Sequence, residues 1–281
     1  MDSSDKKDRK GKLDDSWIGI LVIAISLLYI GELFSTLLVM LLAFILNIPD
    51  KYEIFLMYLA TFGSIIAVVG YIKKHKEDNF MLKKLKFKMS HFLMGLAIGF
   101  TLNIICAFSA MLHKDLVITL SNAHVIGLII GFIFVIIQST SEEILCRLFV
   151  YEKLKKKYKS PLVWILINSI FFGLLHIGND GVTVLAIIDI CIYGIFMSLL
   201  VYYFDSIWLV SAIHASWNFT QNFLLGLPNS GMASEYSLYE IVKSKNSFFY
   251  NTNFGVEGTC FCVILLSVLI IFIYLLCHKK K

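Results

Sequence analysis

The chain has 281 residues, of which 58% are hydrophobic and only 16% are charged, and its mean hydropathy is +0.78. Soluble globular domains are about 45–50% apolar and about 25% charged. The composition therefore excludes an ordinary soluble protein, and the 3 Pro and 17 Gly exclude a collagen-like chain. It predicts an all-α polytopic membrane protein.

The net charge of +5 comes from basic residues that cluster at four places. These are KKDRKGK at 6–12, KKHKEDNFMLKKLKFK at 73–88, EKLKKKYK at 152–159 and HKKK at 278–281. In a membrane protein such clusters follow from the excess of Lys and Arg in cytoplasmic loops. We therefore expect no nucleic-acid partner. The six Cys lie in apolar segments without a CxxC pair, which predicts neither disulfides nor a cysteine zinc site.

Eight apolar segments reach or approach the length of about 20 residues that a helix needs to cross a bilayer. They are 17–46, 54–72, 91–112, 125–151, 161–177, 182–203, 207–225 and 259–277. With residues 1–16 in the cytoplasm, this count places the Lys-rich stretches on one side of the membrane. The sequence therefore predicts about eight transmembrane helices around a polar intramembrane cavity, with both termini cytoplasmic.

The chain reads as one membrane domain, 17–277, between a charged cytoplasmic tail at 1–16 and a basic C-terminal tail at 278–281. The first apolar run is too long for a signal peptide, so we expect it to be a retained helix. The longest segment outside the spans, 226–258, is expected to be an outer loop with a short amphipathic helix at 236–250.

Ionisable side chains inside the spans carry the strongest functional signal, because a charge at the bilayer centre costs at least about 2.5–3.5 kcal/mol. They are Glu32, Glu142, Glu143, Arg147, His176, Asp189 and His214. Glu143 and Arg147 stand at i,i+4, which predicts an intrahelical ion pair. Glu142 then needs another partner, for which an imidazole is suitable. Glu32 and Asp189 have no spaced partner, so we expect them to pack or to line the cavity.

His214 and Asn218 also stand at i,i+4, so that both side chains could donate hydrogen bonds to one developing oxyanion. Spacing alone leaves a catalytic site, a metal site and a structural cluster as alternatives. The sequence lacks HExxH, GxGxxG and P-loop patterns, and no GxSxG or SxxK context surrounds the hydroxyl residues at 139–141. Their absence argues against the common zinc proteases, serine hydrolases and nucleotide enzymes.

Three motifs together resemble the CPBP family of intramembrane endopeptidases: EEILCR at 142–147 (EExxxR), FGLLH at 172–176 (FxxxH) and HASWN at 214–218 (HxxxN). This family includes the type II CAAX prenyl endopeptidases and bacterial bacteriocin-processing and self-immunity proteins. The resemblance covers about 125–225. It implies an eight-helix fold with a conical cavity open to the cytoplasm, and hydrolysis of peptide bonds in a membrane-associated peptide or protein.

The resemblance also implies roles by motif position: Glu142 and His176 activate a water molecule, His214 and Asn218 form an oxyanion hole, and Glu143 and Arg147 support the site. Metal dependence stays open, because a zinc ion could take Glu142, His176 and His214 as ligands. Since Asn is a poor zinc ligand, we expect a glutamate-dependent protease without a cofactor.

One geometric difficulty accompanies these roles. Arg147 lies near the predicted cytoplasmic end of its span, and His214 lies near the start of its own. His176 lies about 22 Å along the fifth span. Straight, perpendicular helices would not bring these residues together, so the fifth helix is expected to be tilted, broken or to start deeper.

Two other classes of protein could use the same polar cluster. A non-catalytic scaffold, regulator or immunity protein would keep it for structure and would tolerate Glu142→Gln. A transporter could use Glu32, Asp189 and the Glu pair as a proton path, but it predicts internal repeats and broken, Gly/Pro-rich helices, which the sequence does not show. The expected location is a bacterial plasma membrane, and a regulatory membrane partner is compatible with it.

Overall fold

The computed structural model describes residues 16–49, 52–122 and 125–279. Its α-helices are α1 (Trp17–Ile45), α2 (Glu53–Ala60), α3 (Phe62–Lys74), α4 (Met89–Leu112), α5 (Val125–Glu143), α6 (Tyr151–Lys157), α7 (Pro161–Leu174), α8 (Val184–Phe204), α9 (Ile207–Phe219) and α10 (Cys260–Lys279). The strands are β1 (Leu116–Leu120) and β2 (Tyr239–Ser244). The tails predicted at 1–16 and 278–281 fall largely outside the described residues.

Three further helical segments connect these elements. A 3₁₀ segment, Lys76–Leu85, follows α3. A π-helical segment, Ile144–Val150, joins α5 to α6 without a break, and a second, Thr220–Leu224, continues α9. π-Helical turns are rare in proteins, and those that occur are often found at functional sites. Here they begin directly after the EE pair and just after the HxxxN motif.

Helices are present at all eight segments that the sequence predicts to cross the membrane. Within the described residues, five helical stretches are long and apolar enough to do so: Trp17–Ile45, Glu53–Lys74, Met89–Leu112, Val125–Lys157 and Val184–Phe204. Pro161–Leu174 and Cys260–Leu276 are apolar but shorter. The helical membrane architecture is thus confirmed, whereas the number of eight crossings and the cytoplasmic termini stay predictions.

The centre of the bundle is α9, which is buried along almost its whole length. It packs against α4 on one side and α5 on another, while α7 packs against α8, α8 against α10, and α1 against α3. The outer helices present apolar side chains outwards; Phe34 and Phe44 of α1 are 73% and 81% exposed. Such a surface suits lipid, and in water it would promote aggregation.

The depth of the motif residues follows from the continuous helix α5–α6. The sequence predicts that this span ends at 151, but it continues to Lys157 because the segment YEKLKKK forms another helix. Glu142 lies fifteen residues before Lys157, and His176 lies fifteen residues after Pro161. Because only residues 158–160 join these two neighbouring helices, Glu142 and His176 are separated from the turn by equal lengths of chain. The longer fourth helix thus accounts for much of the expected mismatch in depth, while the tilt of α7 stays a prediction.

The Lys-rich end of α6 extends beyond the start of α9, since His214 is only about 10 Å from Ile207 along its helix. This end is held against the 3₁₀ segment. Lys153 Nζ lies 2.6 Å from Asp78 Oδ2, and Lys84 Nζ lies 3.3 Å from Glu152 Oε1. Burial lowers the pKa of Lys84, but its contacts with Asp205 and Glu152 outweigh burial and raise that pKa overall.

The outer segment 226–258 differs from its prediction. The helix expected at 236–250 is wrong, because YEIVKS at 239–244 forms β2 and pairs antiparallel with β1. Two side chains of the π-helical segment Thr220–Leu224 hold residues 226–258 in place by hydrogen bonds. Gln221 Nε2 donates to the Pro228 carbonyl at 2.7 Å, and Asn222 Nδ2 donates to the Met232 carbonyl at 2.8 Å. The segment is thus a cap that is tied to α9.

The backbones of α1 and α3 touch at Gly31 and Gly63. A Cβ on Gly63 would lie 2.0 Å from the Gly31 carbonyl oxygen and 2.6 Å from the Ser35 Cβ. Small residues at such crossings let membrane helices approach closely. This contact therefore sets the position of α1 against the rest of the bundle.

We expect Gly63→Ala to destabilise the protein by about 1–3 kcal/mol, because the added methyl group overpacks the crossing. Gly70→Ala in the same helix is the matched control, since a Cβ there meets no atom within 4 Å. Thermal unfolding of the two purified variants in one detergent measures the difference. Equal stability of the two variants would show that the crossing can relax.

Candidate functional site

The carboxylate of Glu142 faces two imidazole rings. Its Oε2 atom lies 4.0 Å from His176 Nε2 and 3.9 Å from His214 Nε2. Its Oε1 atom accepts a hydrogen bond from Gln138 Nε2, one helical turn earlier. The two distances to the imidazoles are longer than a direct hydrogen bond and suit a bridging water molecule. The structure thus brings the three motifs together around one oxygen atom.

The orientation of both rings follows from the partners of their Nδ1 atoms. His176, in the turn after α7, has its Nδ1 2.9 Å from the Phe172 carbonyl oxygen. Because a carbonyl only accepts, that Nδ1 carries the proton and Nε2 is left to face Glu142. His214 Nδ1 lies 2.9 Å from Glu143 Oε1, and the same argument applies there.

Glu143 is a fully buried carboxylate with two partners. Its Oε1 accepts from Arg147 Nη1 at 3.1 Å and from His214 Nδ1 at 2.9 Å. The Arg147 guanidinium also lies 4.1 Å from the centroid of the Phe172 ring, a cation–π contact. The i,i+4 spacing predicts the ion pair with Arg147, but it could not show that the same oxygen holds His214.

Asn218 is connected to Glu142 by hydrogen bonds through the side chain of Gln138. Its Nδ2 donates to Gln138 Oε1 at 3.2 Å, while Gln138 Nε2 donates to Glu142. Sequence reasoning missed Gln138, although its i,i+4 spacing to Glu142 was a usable signal. Gln138 therefore orients the catalytic candidate Glu142 and the oxyanion candidate Asn218 relative to each other.

Glu257, in the cap, is a second residue that sequence reasoning missed. Its carboxylate accepts from Trp217 Nε1 at 2.8 Å and from the Ser230 hydroxyl at 2.9 Å. It thereby ties the cap to the HxxxN motif, and no local pattern links it to residues forty positions earlier. Asp189 has a comparable role, since its Oδ2 accepts from the Gly258 amide at 2.7 Å.

Glu142 lies in a cleft with about 300 Å³ of space. Its walls come from α1, α2, α5, the turn after α7, α9 and the cap. Glu32 belongs to the α1 wall of this cleft. It therefore lines a cavity, as expected from its isolated position in the sequence. Small-molecule and peptide sites commonly have this size and mixed lining.

The candidate zinc ligands are Glu142, His176 and His214. Tetrahedral zinc with bonds of about 2.0–2.2 Å needs donor atoms about 3.3–3.5 Å apart. The distances of 3.9 and 4.0 Å are wider, and among the described residues no three His, Cys, Asp or Glu side chains could hold a metal ion. In this arrangement the donor atoms lie farther apart than the ligands of a bound zinc ion, which favours a site without metal.

Comparison with known families points to the same part of the chain. Residues 122–220, about a third of the chain, match the family of type II CAAX prenyl endopeptidase Rce1-like proteins. The match contains all three motifs and confirms the resemblance that they indicate. Neither a curated protein nor a solved structure gives a significant match.

We expect Arg147→Met to destabilise the fold by about 3–5 kcal/mol, because it leaves the buried Glu143 carboxylate without its cationic partner. The double variant Glu143→Gln/Arg147→Met removes both charges and should lose less stability than Arg147→Met alone. Chemical unfolding of the purified single and double variants gives the coupling energy. Additive losses would show that the two charges do not stabilise each other.

Proposed function

We propose that the protein is an intramembrane endopeptidase that hydrolyses peptide bonds of a membrane-associated peptide or protein in the lipid bilayer. The observation that carries the proposal is the geometry of Glu142, whose carboxylate faces His176 Nε2 and His214 Nε2 at about 4 Å in a cleft of mixed lining. The similarity of residues 122–220 to a family of CAAX prenyl endopeptidases supports it.

The first step is the activation of water. Glu142 Oε2 is buried and has no hydrogen-bond partner among the described residues. A water molecule between this oxygen and His176 Nε2 can donate one hydrogen bond to each. As the water oxygen bonds to the carbonyl carbon of the substrate, Glu142 takes its proton as general base.

The second step is stabilisation of the negative charge that develops on the carbonyl oxygen. Asn218 supplies an amide donor. His214 donates through Nε2 when its ring is protonated, because its Nδ1–H is held by Glu143. The negative carboxylate of Glu143 lies against that ring and stabilises its positive charge. Arg147 keeps Glu143 in place from the other side.

The third step is cleavage of the C–N bond. The tetrahedral intermediate collapses, and the proton that Glu142 took from water passes to the leaving nitrogen. The products are one fragment with a new carboxyl group and one with a new amine. The carboxyl group then loses its proton to solvent and becomes a carboxylate, and the groups of the site return to their starting protonation states.

We expect Glu142→Gln to abolish proteolysis, because an amide cannot accept the proton of water. Membranes with equal amounts of wild type and variant are compared, and mass spectrometry reads the new peptide termini. Glu240→Gln is the matched control, since Glu240 is exposed on β2. Fragments present with wild type and the control but lost with Glu142→Gln support the proposal. Identical profiles in all three would favour the non-catalytic scaffold.

We expect Asn218→Ala to lower kcat by about 10²–10³ with a smaller change in KM, because an oxyanion donor acts mainly in the transition state. Asn253→Ala, which alters an exposed amide of the cap, is the control. Rates are measured on a peptide that contains the cleavage site found in membranes. A kcat within threefold of wild type would remove Asn218 from the oxyanion hole.

A further inference from the structure

The proposed mechanism leaves one intramembrane carboxylate, Glu32 of α1, without a role. Its side chain lines the same cleft as Glu142. Within the described part of the chain, no hydrogen bond or ion pair reaches Glu32. A carboxylate in a membrane segment is costly unless it is paired. A group from outside the chain that pairs with Glu32 would therefore be stabilising.

Glu32 also lies where two spaces meet. One is the cleft of Glu142; the other is a largely apolar groove of about 750 Å³ between α1 and α2. Both spaces share Glu32, Met57 and Thr61. A peptide segment that runs from the groove to Glu142 therefore passes Glu32.

Three carboxylates follow one another along this route. Glu53 lines the groove, Glu32 lies at the junction, and Glu142 lies in the cleft. Among the residues that the structure describes, the lining of neither space includes a Lys or Arg. Carboxylates in a low-dielectric surrounding attract a ligand of opposite charge.

A second polar group in the cleft also lacks a partner. Asn229 of the cap is only 6% exposed, lines the cleft, and has a buried Oδ1 atom without a hydrogen bond. Buried polar atoms in folded proteins are nearly always hydrogen-bonded. Asn229 and Glu32 thus place polar side chains with acceptor oxygens in two walls of the cleft, and such walls suit a group that carries several N–H donors.

We propose that Glu32 binds a Lys or Arg side chain of the substrate, so that the protein prefers apolar peptide segments that carry a basic residue close to the scissile bond. This inference rests on the proposed endopeptidase function and adds a substrate class to it. Ammonium and guanidinium groups supply several N–H donors and no acceptor. Glu32 thus acts as a specificity residue, while Glu142 keeps the chemistry.

The test uses the full-length protein in lipid nanodiscs and pairs of short synthetic apolar peptides. In each pair one peptide carries a single Lys, moved through the sequence from pair to pair, and the other carries Gln in its place. The measured quantity is the ratio of kcat/KM for the two peptides. Glu240→Gln, which removes an exposed carboxylate outside the cleft, is the control variant.

Wild type and the control should prefer the Lys peptide of the best pair by at least about tenfold, as a charge-assisted hydrogen bond allows. Glu32→Gln should bring this ratio close to one, and Glu32→Lys should reverse the preference towards peptides with Glu at that position. A wild-type ratio near one, or an unchanged ratio in Glu32→Gln, would overturn the inference and leave the endopeptidase proposal standing.

A binding measurement separates the two proposals if no peptide is cut. Fluorescently labelled Lys and Gln peptides are then titrated against wild type and Glu32→Gln, and their anisotropy is compared. Tighter binding of the Lys peptide to wild type, lost in Glu32→Gln, would support the cation site while the hydrolytic function fails. Equal binding of both peptides to wild type would overturn the cation site as well.

Discussion

The arrangement of the site depends on one buried oxygen atom, Oε1 of Glu143, which accepts hydrogen bonds from Arg147 and from His214. A lone carboxylate at this depth would be strongly destabilising, and Arg147 offsets that cost. With its charge retained, Glu143 accepts the Nδ1–H of His214 and fixes the direction of that ring. The ring then directs Nε2 towards Glu142, so the supporting pair and the proposed chemistry are parts of one network.

The same network joins elements that are distant in the chain. The continuous helix α5–α6 supplies both glutamates, the turn after α7 supplies His176, and α9 supplies His214. Glu257 then fastens the cap to Trp217 beside Asn218. Because each donor is held by a second partner, the groups around Glu142 are pre-oriented, as electrostatic catalysis requires.

Much of the fold and part of the site were predictable from local sequence patterns. Apolar segments of helical length located the helices, and i,i+4 spacing identified the pair of Glu143 and Arg147. The extension of the fourth span to Lys157 was missed, because a Lys-rich helix outside the apolar run has no hydropathy signal. β2 was missed because its partner strand lies more than a hundred residues earlier. The i,i+4 spacing of Gln138 and Glu142 could have identified Gln138. Glu257, in contrast, contacts the site through tertiary structure that no local pattern encodes.

The central claim is that Glu142 activates a water molecule and does not itself attack the substrate. Single-turnover cleavage in ¹⁸O-labelled water, with protein in excess over a peptide that it cuts, tests this most directly. The account predicts that every new carboxylate carries one ¹⁸O atom from solvent. Unlabelled product from the first turnover would mean that a protein carboxylate supplied the oxygen, and this result would contradict the account.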